Sequence, residues 1–212
     1  PSHDAGQTVN TYSTLKQSIA DFLARDDLTS FVDTFIDIAE ARIGRRLKIR
    51  AMESVSTLTC STSVNYIALP TGYVGFRSVD LLSGSNRYTL TYNTPEQLNS
   101  VDNTTGIPRR FSIIGTNIVF NCIPADTYTV NIAYTAMFTA LSDSNTSNWL
   151  TTNVPHLMLY GALQAAAEFI QDDSAAQKWA SLFQQAIDEA ESADEWEKYG
   201  PAPAIASERA KW

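Results

Sequence analysis

Between Val55 and Phe138 apolar and polar residues alternate with a period of two, whereas the stretches on either side repeat at helical spacing. One kind of element cannot bury both patterns, so the chain is expected to be an α+β protein with its strands gathered in the middle. The runs SVSTLTC, VNYIAL, FRSVDLL, RYTLTY, RFSII, IVFNCI and YTVNIAYT are rich in Val, Ile, Thr, Tyr and Phe. Turn residues separate them: Pro70-Thr71-Gly72, Ser83 to Asn86, Gly115-Thr116-Asn117 and Pro124-Ala125-Asp126. Such short spacings favour antiparallel hairpins. The longer connection from Asn93 to Pro108 leaves room for one helical turn at Pro95–Leu98.

Ahead of the strands, residues 14–50 read as two helices. Thr14 and Gln17 have capping-box spacing, with Leu15, Ile19, Phe22 and Leu23 behind them. Ser30 and Asp33 give a second start signal, followed by the stripe Val32, Ile36, Ala39, Ile43 and Leu47. After the strands, the polar loop SDSNTSNWLTTN carries one apolar anchor, Trp149-Leu150. A helix is expected from about Val154 to Ile170, with Leu157, Gly161 (or Tyr160), Gln164 and Ala167 forming a small-residue side suited to close packing. Another is expected from about Ser174 to Asp194, with Trp179, Leu182, Phe183, Ala186, Ile187 and Ala190 as its apolar stripe. The expected organisation is a flexible leader over 1–13 and a helical lobe from 14–53 and 154–198. An antiparallel β domain is inserted at 54–138, a loop covers 139–153, and an extended C-terminal arm covers 199–212. Gly200, Pro201 and Pro203 end the last helix, so the arm is either a loose end or a segment that orders on a neighbour.

Charge then points to a site. Arg42, Arg45, Arg46, Lys48 and Arg50 crowd into nine residues of a chain whose net charge is −8. On one continuous helix the four arginines fall within about 140° of one another, with Asp33, Asp37 and Glu40 opposite. The partner of such a face is nucleic acid, another subunit, or the acids of the same fold. Residues 151–212 hold 4 basic and 10 acidic groups, which argues against a protein that grips DNA over its whole surface. Asp188, Glu191 and Glu195 share one face of the last helix and are natural acceptors for the arginines.

Motifs for catalysis are thin. No G-x-S-x-G elbow, phosphate-binding glycine loop or zinc-protease motif is present. Cys60 and Cys122 read as buried thiols, with a disulfide or metal pair as the alternative, and with only His3 and His156 beside them no metal or other cofactor is expected. His156 follows Pro155 at a helix start, as a capping or packing residue does, and Asp172-Asp173 reads as a helix cap. No apolar run approaches the ~20 residues of a membrane-spanning helix, and no signal peptide leads the chain.

The ordered set AEARIGRRLKIRAME, YIALPTGYVGFRSVDL, GIPRRFSIIGTNIVF and SNWLTTNVPHLMLYGAL, closed by an Asp-rich turn before the last helix, resembles the head-to-tail adaptor proteins of tailed phages. The tail tubular protein A type of short-tailed phages belongs among them. The resemblance runs from about Tyr12 to Asp194; Gly44 departs from it by interrupting a helix. It implies a structural virion protein, not an enzyme, that is assembled in the host cytoplasm. About twelve copies would form a head-to-tail ring between the portal protein and the tail nozzle, with genomic DNA passing through a channel. On that reading Arg42, Arg45, Arg46 and Arg50 line the channel or meet Asp188, Glu191 and Glu195 of the next subunit. The resemblance also implies a portal-binding arm, here Tyr199, Ile205, Arg209, Lys211 and Trp212. The alternatives are a tail-associated glycan hydrolase, which would need two carboxylates across a cleft, and a non-enzymatic host-binding module.

Overall fold

The computed structural model describes residues 9–99 and 104–199, so most of the expected leader and the arm residues Ile205, Arg209, Lys211 and Trp212 lie outside the described residues. The chain divides into two compact units, residues 1–51 with 138–212 and residues 52–137. The first is helical and the second is built of strands, which makes the protein α+β with an inserted, mainly antiparallel β domain.

The helical unit starts with α1, Tyr12–Leu23, a 3-10 turn over Asp26–Phe31, and α2, Val32–Arg46. A capping box starts α1, but one step earlier than Thr14 and Gln17 suggest. The Thr11 side chain accepts the N–H of Thr14 at 3.2 Å, and the Thr14 hydroxyl accepts the N–H of Thr11 at 3.0 Å. Starting there lets Tyr12 join Leu15 and Ile19 in the core. Ser30 does not cap α2: the residue before the helix is Phe31, which makes no side-chain cap, and the 3-10 turn leads directly into it.

The largest departure from the sequence reading is the end of α2. Leu47 turns extended, with ψ at 130°, and Arg50 lies in a second 3-10 turn, Arg50–Met52. Leu47 and Ile49 are both buried, whereas Lys48 and Arg50 are exposed. On a continued helix Ile49 would sit on the arginine face, so burying Leu47 and Ile49 together demands an extended chain. The four arginines therefore do not share one helix.

In the segment expected to be a loop, Asn148 forms a second capping box with Thr151 and opens a short helix, α4, Trp149–Asn153. Leu150 is buried and Trp149 stacks on Phe138 with ring centroids 5.6 Å apart, so the apolar pair does anchor this segment. Helix α5, Pro155–Phe169, takes Pro155 at its first turn, where a missing N–H costs nothing. Helix α6, Asp173–Tyr199, follows; the Asp172 side chain accepts the N–H of Ala175 at 3.0 Å, so this acid is a cap.

Gly161 sets the spacing of these helices. A Cβ placed there would lie 2.9 Å from the Cβ of Ala39 on α2 and 3.0 Å from the ring of Phe183 on α6. A hydrogen at that position lets α5 pack against both neighbours at once. Leu157, Met158, Ala162 and Leu163 surround it, all buried.

Among its described residues the strand unit holds two four-stranded sheets and a two-stranded one. Its elements are β1 Glu53–Cys60, β2 Tyr66–Ala68, β3 Tyr73–Ser83, β4 Asn86–Thr89, β5 Thr91–Tyr92, the short helix α3 Pro95–Asn99, β6 Thr105–Gly106, β7 Arg110–Ile114, β8 Asn117–Phe120, β9 Ile123–Pro124 and β10 Tyr128–Ala136. The first sheet runs β1-β10-β3-β4 and is antiparallel throughout; the second runs β2-β8-β7-β5. Two short pairs, β5 with β7 and β6 with β9, are parallel, because each joins strands separated by a longer connection. Gly84 and Gly115 have positive φ at the first position of two-residue hairpin loops, the place where a side chain is least tolerated. Val79, Leu81, Phe111, Ile118, Phe120, Val130 and Ile132 form the core with Cys60. Cys60 and Cys122 are free, buried thiols, and burial pushes both thiol pKa values up.

Gly161→Leu should destabilise the helical unit by about 3 kcal/mol, because the added side chain has neither space nor a compliant neighbour. Urea unfolding followed by circular dichroism at 222 nm reads this loss. Unchanged stability would contradict the close approach.

Candidate functional site

The basic segment is held mainly by acids of its own chain. Arg42, facing α5, makes a forked contact with Glu168: Nη2 to Oε2 at 2.5 Å and Nη1 to Oε1 at 3.3 Å. Gln164 also donates to Glu168, at 2.9 Å. The hydrogen bond from Arg42, aided by that of Gln164, holds the Glu168 carboxyl below the usual range against its partial burial. Arg46 donates a long bond to Gln184 at 3.4 Å and lies 5.8 Å from the centroid of Phe183.

Where the chain leaves α2, its backbone N–H groups have lost their helical acceptors and α6 replaces them. Glu191 accepts the N–H of Lys48 at 3.1 Å, and both Asp194 oxygens accept the N–H of Arg50 at 3.0 Å. Glu197 takes the Arg50 guanidinium at 3.0 Å. These three acids recur every three residues along one side of α6, so a single helical row stitches down the extended segment. Of the other expected acceptors, Asp188 receives Gln184 at 2.9 Å, and Glu195 is exposed. Among the described residues Arg45, the Lys48 ammonium and Glu195 have no hydrogen-bond or ion-pair partner. Tyr199 is the last residue of α6.

Sequence reasoning missed Glu168, Asp194 and Glu197. Asp194 and Glu197 continue the spacing that Glu191 begins, and that was the available signal. Glu168 had none, since only the packing at Gly161 brings its helix beside Arg42. Glu40 was missed as well. Its Oε1 accepts the N–H of Leu141 at 3.0 Å and the Asn148 amide at 3.3 Å, pinning the segment ahead of α4 to α2. Burial pushes the Glu40 carboxyl up, helped by the charge of Asp37, although the bond from Leu141 opposes the shift.

A small open pocket is lined by Ser13, Lys16, Gln17, Ala20, Thr29, Val32 and Asp33. Its single carboxylate, Asp33, is engaged by the Tyr12 hydroxyl at 2.9 Å and by Lys16 at 3.2 Å, and His156 packs edge-on against Tyr160. This pocket therefore lacks the second acid that glycoside hydrolysis requires. Among the described residues no cluster of His, Cys, Asp or Glu is placed to hold a metal ion, and no helix is long and apolar enough to cross a membrane.

The two carboxylates predict opposite acid responses. Glu168 has a lowered pKa when folded, so its contribution is present above the unfolded value near 4.3 and fades as pH falls through the folded value. Being partly exposed, it contributes less than ~1 kcal/mol. Glu40 has a raised pKa, so its ionised form opposes folding at neutral pH and the penalty vanishes on acidification. Glu40→Gln should keep the acceptor for Leu141, lose nothing at pH 7 and abolish the acid-side gain. Glu40→Ala should cost about 1–3 kcal/mol by stranding the Leu141 N–H. Thermal melts from pH 4 to 8 separate these outcomes, and equal losses in both variants would refute the assignment.

No curated protein matches the chain. A model of the SU10 adaptor protein family does, over residues 10–205. That match covers both units, from the leader side of α1 to beyond the end of α6. The protein thus belongs to the SU10 adaptor family of phage head-to-tail adaptors, structural components of the virion.

Proposed function

We propose that the protein forms a ring of about twelve copies between the portal protein and the tail nozzle, around the channel through which genomic DNA passes. Its host-cell stage is then cytoplasmic assembly, and its working place is the head-to-tail interface of the virion. The observation that carries this reading is the internal pairing of the basic segment. With Arg42 held by Glu168 and Arg50 by Asp194 and Glu197, the basic segment keeps only Arg45, Arg46 and Lys48 without an acid among the described residues to hold their cationic groups. Three cations on a chain of net charge −8 suit a wall that lets DNA slide past, since a continuous grip would need many phosphate contacts. They equally suit pairing with the acids of a neighbouring α6, of which Asp188 and Glu195 remain exposed. The segment after Tyr199, with Ile205, Arg209, Lys211 and Trp212, is the arm proposed to meet the portal.

Mixing the chain with isolated portal rings tests the proposal by native mass measurement. Uptake of one complete set of copies per portal ring is the expected result; absent or non-stoichiometric uptake would overturn the ring. Arg45→Glu with Arg46→Glu then assigns the cations. Failure to form the ring marks them as subunit contacts, and intact rings that leak DNA mark them as channel lining.

A further inference from the structure

The helical unit exposes an aromatic and aliphatic surface that its own fold leaves open. Phe169, at the end of α5, is 53% exposed, Phe31 41% and Ile38 37%. The rings of Phe31 and Phe169 lie 5.0 Å apart, and Phe169 also packs on buried Phe35 at 5.6 Å, so the surface is continuous with the core. Ile38 and Arg45 are two helical turns apart on one row of α2, which places a cation with no partner among the described residues about 10 Å beyond the apolar surface. Aromatic residues with an arginine at the edge are the composition of a protein interface centre.

The C-terminal half of α6 presents the complementary set. Trp196 is 66% exposed and has no ring contact among the described residues. It shares the outward face of α6 with Asp188, Ser192 and Glu195, opposite the buried Phe183, Ala186 and Ala190. Asp188 precedes Trp196 by eight residues, about 12 Å of helix. Run antiparallel to α2, this helix brings Trp196 onto Ile38 and the Phe31–Phe169 pair while Asp188 reaches Arg45, and the two spacings agree within about one residue rise. Both surfaces lie on the same chain and differ from each other, so copies joined in this way follow one another head to tail.

We infer that the surface formed by Phe31, Ile38, Phe169 and Arg45 receives the outward face of α6, Trp196 with Asp188, from a second copy of this chain. This inference rests on the ring reading and names the contact between its subunits. In that register Ala41 faces Ser192 of the next copy.

Phage particles assembled with the Ala41→Cys and Ser192→Cys double variant provide the test, because Cys60 and Cys122 are buried. On oxidation the chain should migrate as a ladder of covalent multimers, and each single variant should remain monomeric. Particles holding many copies without a ladder would overturn this contact and leave the ring standing, whereas particles holding one copy would overturn the ring itself. Should the double variant fail to enter particles, the charge exchange decides. Arg45→Glu should lower particle yield at least tenfold and Asp188→Arg should restore it; no loss, or a loss without restoration, refutes the pairing.

Discussion

The helical unit depends on one missing side chain. At Gly161 three helices come so close that a methyl group would touch Ala39 on one side and Phe183 on the other. A glycine inside a helix costs about 1 kcal/mol relative to alanine, so its presence signals that packing outweighs propensity here. The approach draws α5 against α2, which lets Arg42 reach Glu168, and draws α6 close enough for its acids to meet the segment after Arg46. The electrostatic arrangement is thus downstream of a steric one.

Among those contacts, several carboxylates bind backbone N–H groups in place of side-chain cations. Glu191 and Asp194 accept backbone N–H groups that the end of α2 has released, and Glu40 does the same for Leu141. Each is a charge-assisted bond to a group fixed in the main chain, so no long side chain has to be ordered to make it. The acidic excess of the C-terminal region is consequently part of how the fold closes its own helix ends. Only the remainder is left for other molecules.

The sequence made the architecture legible where a pattern is periodic. The switch from helical spacing to alternation marks the strand unit, Trp149-Leu150 marks an anchor, and the small-residue side of α5 marks the close packing. It misled where the outcome depends on tertiary burial. The arginine run reads as one helix face because charges alone set the pattern, yet burial of Leu47 and Ile49 forces the chain out of helix before Arg50. Thr11 was hidden by the better-known spacing of Thr14 and Gln17, and the two-residue parallel pairs are too short to leave a periodic trace. Glu191 and Asp194 hold the basic segment through backbone N–H groups, which every residue carries, so no pattern of side chains marks that pairing.

The order of elements along the chain gives the close approach at Gly161 a consequence in time. Helices α1 and α2 are synthesised first, but the surface of α2 that contains Ala39 is covered only by α5, more than 100 residues later. At bacterial elongation rates of about 5–20 residues per second, the nascent N-terminal helices wait roughly 6–25 s for that partner while the intervening strand unit emerges. That unit is contiguous in sequence and can close its own core during the interval, so the strand unit is free to fold before the helical unit is complete, although α1 and α2 are made first.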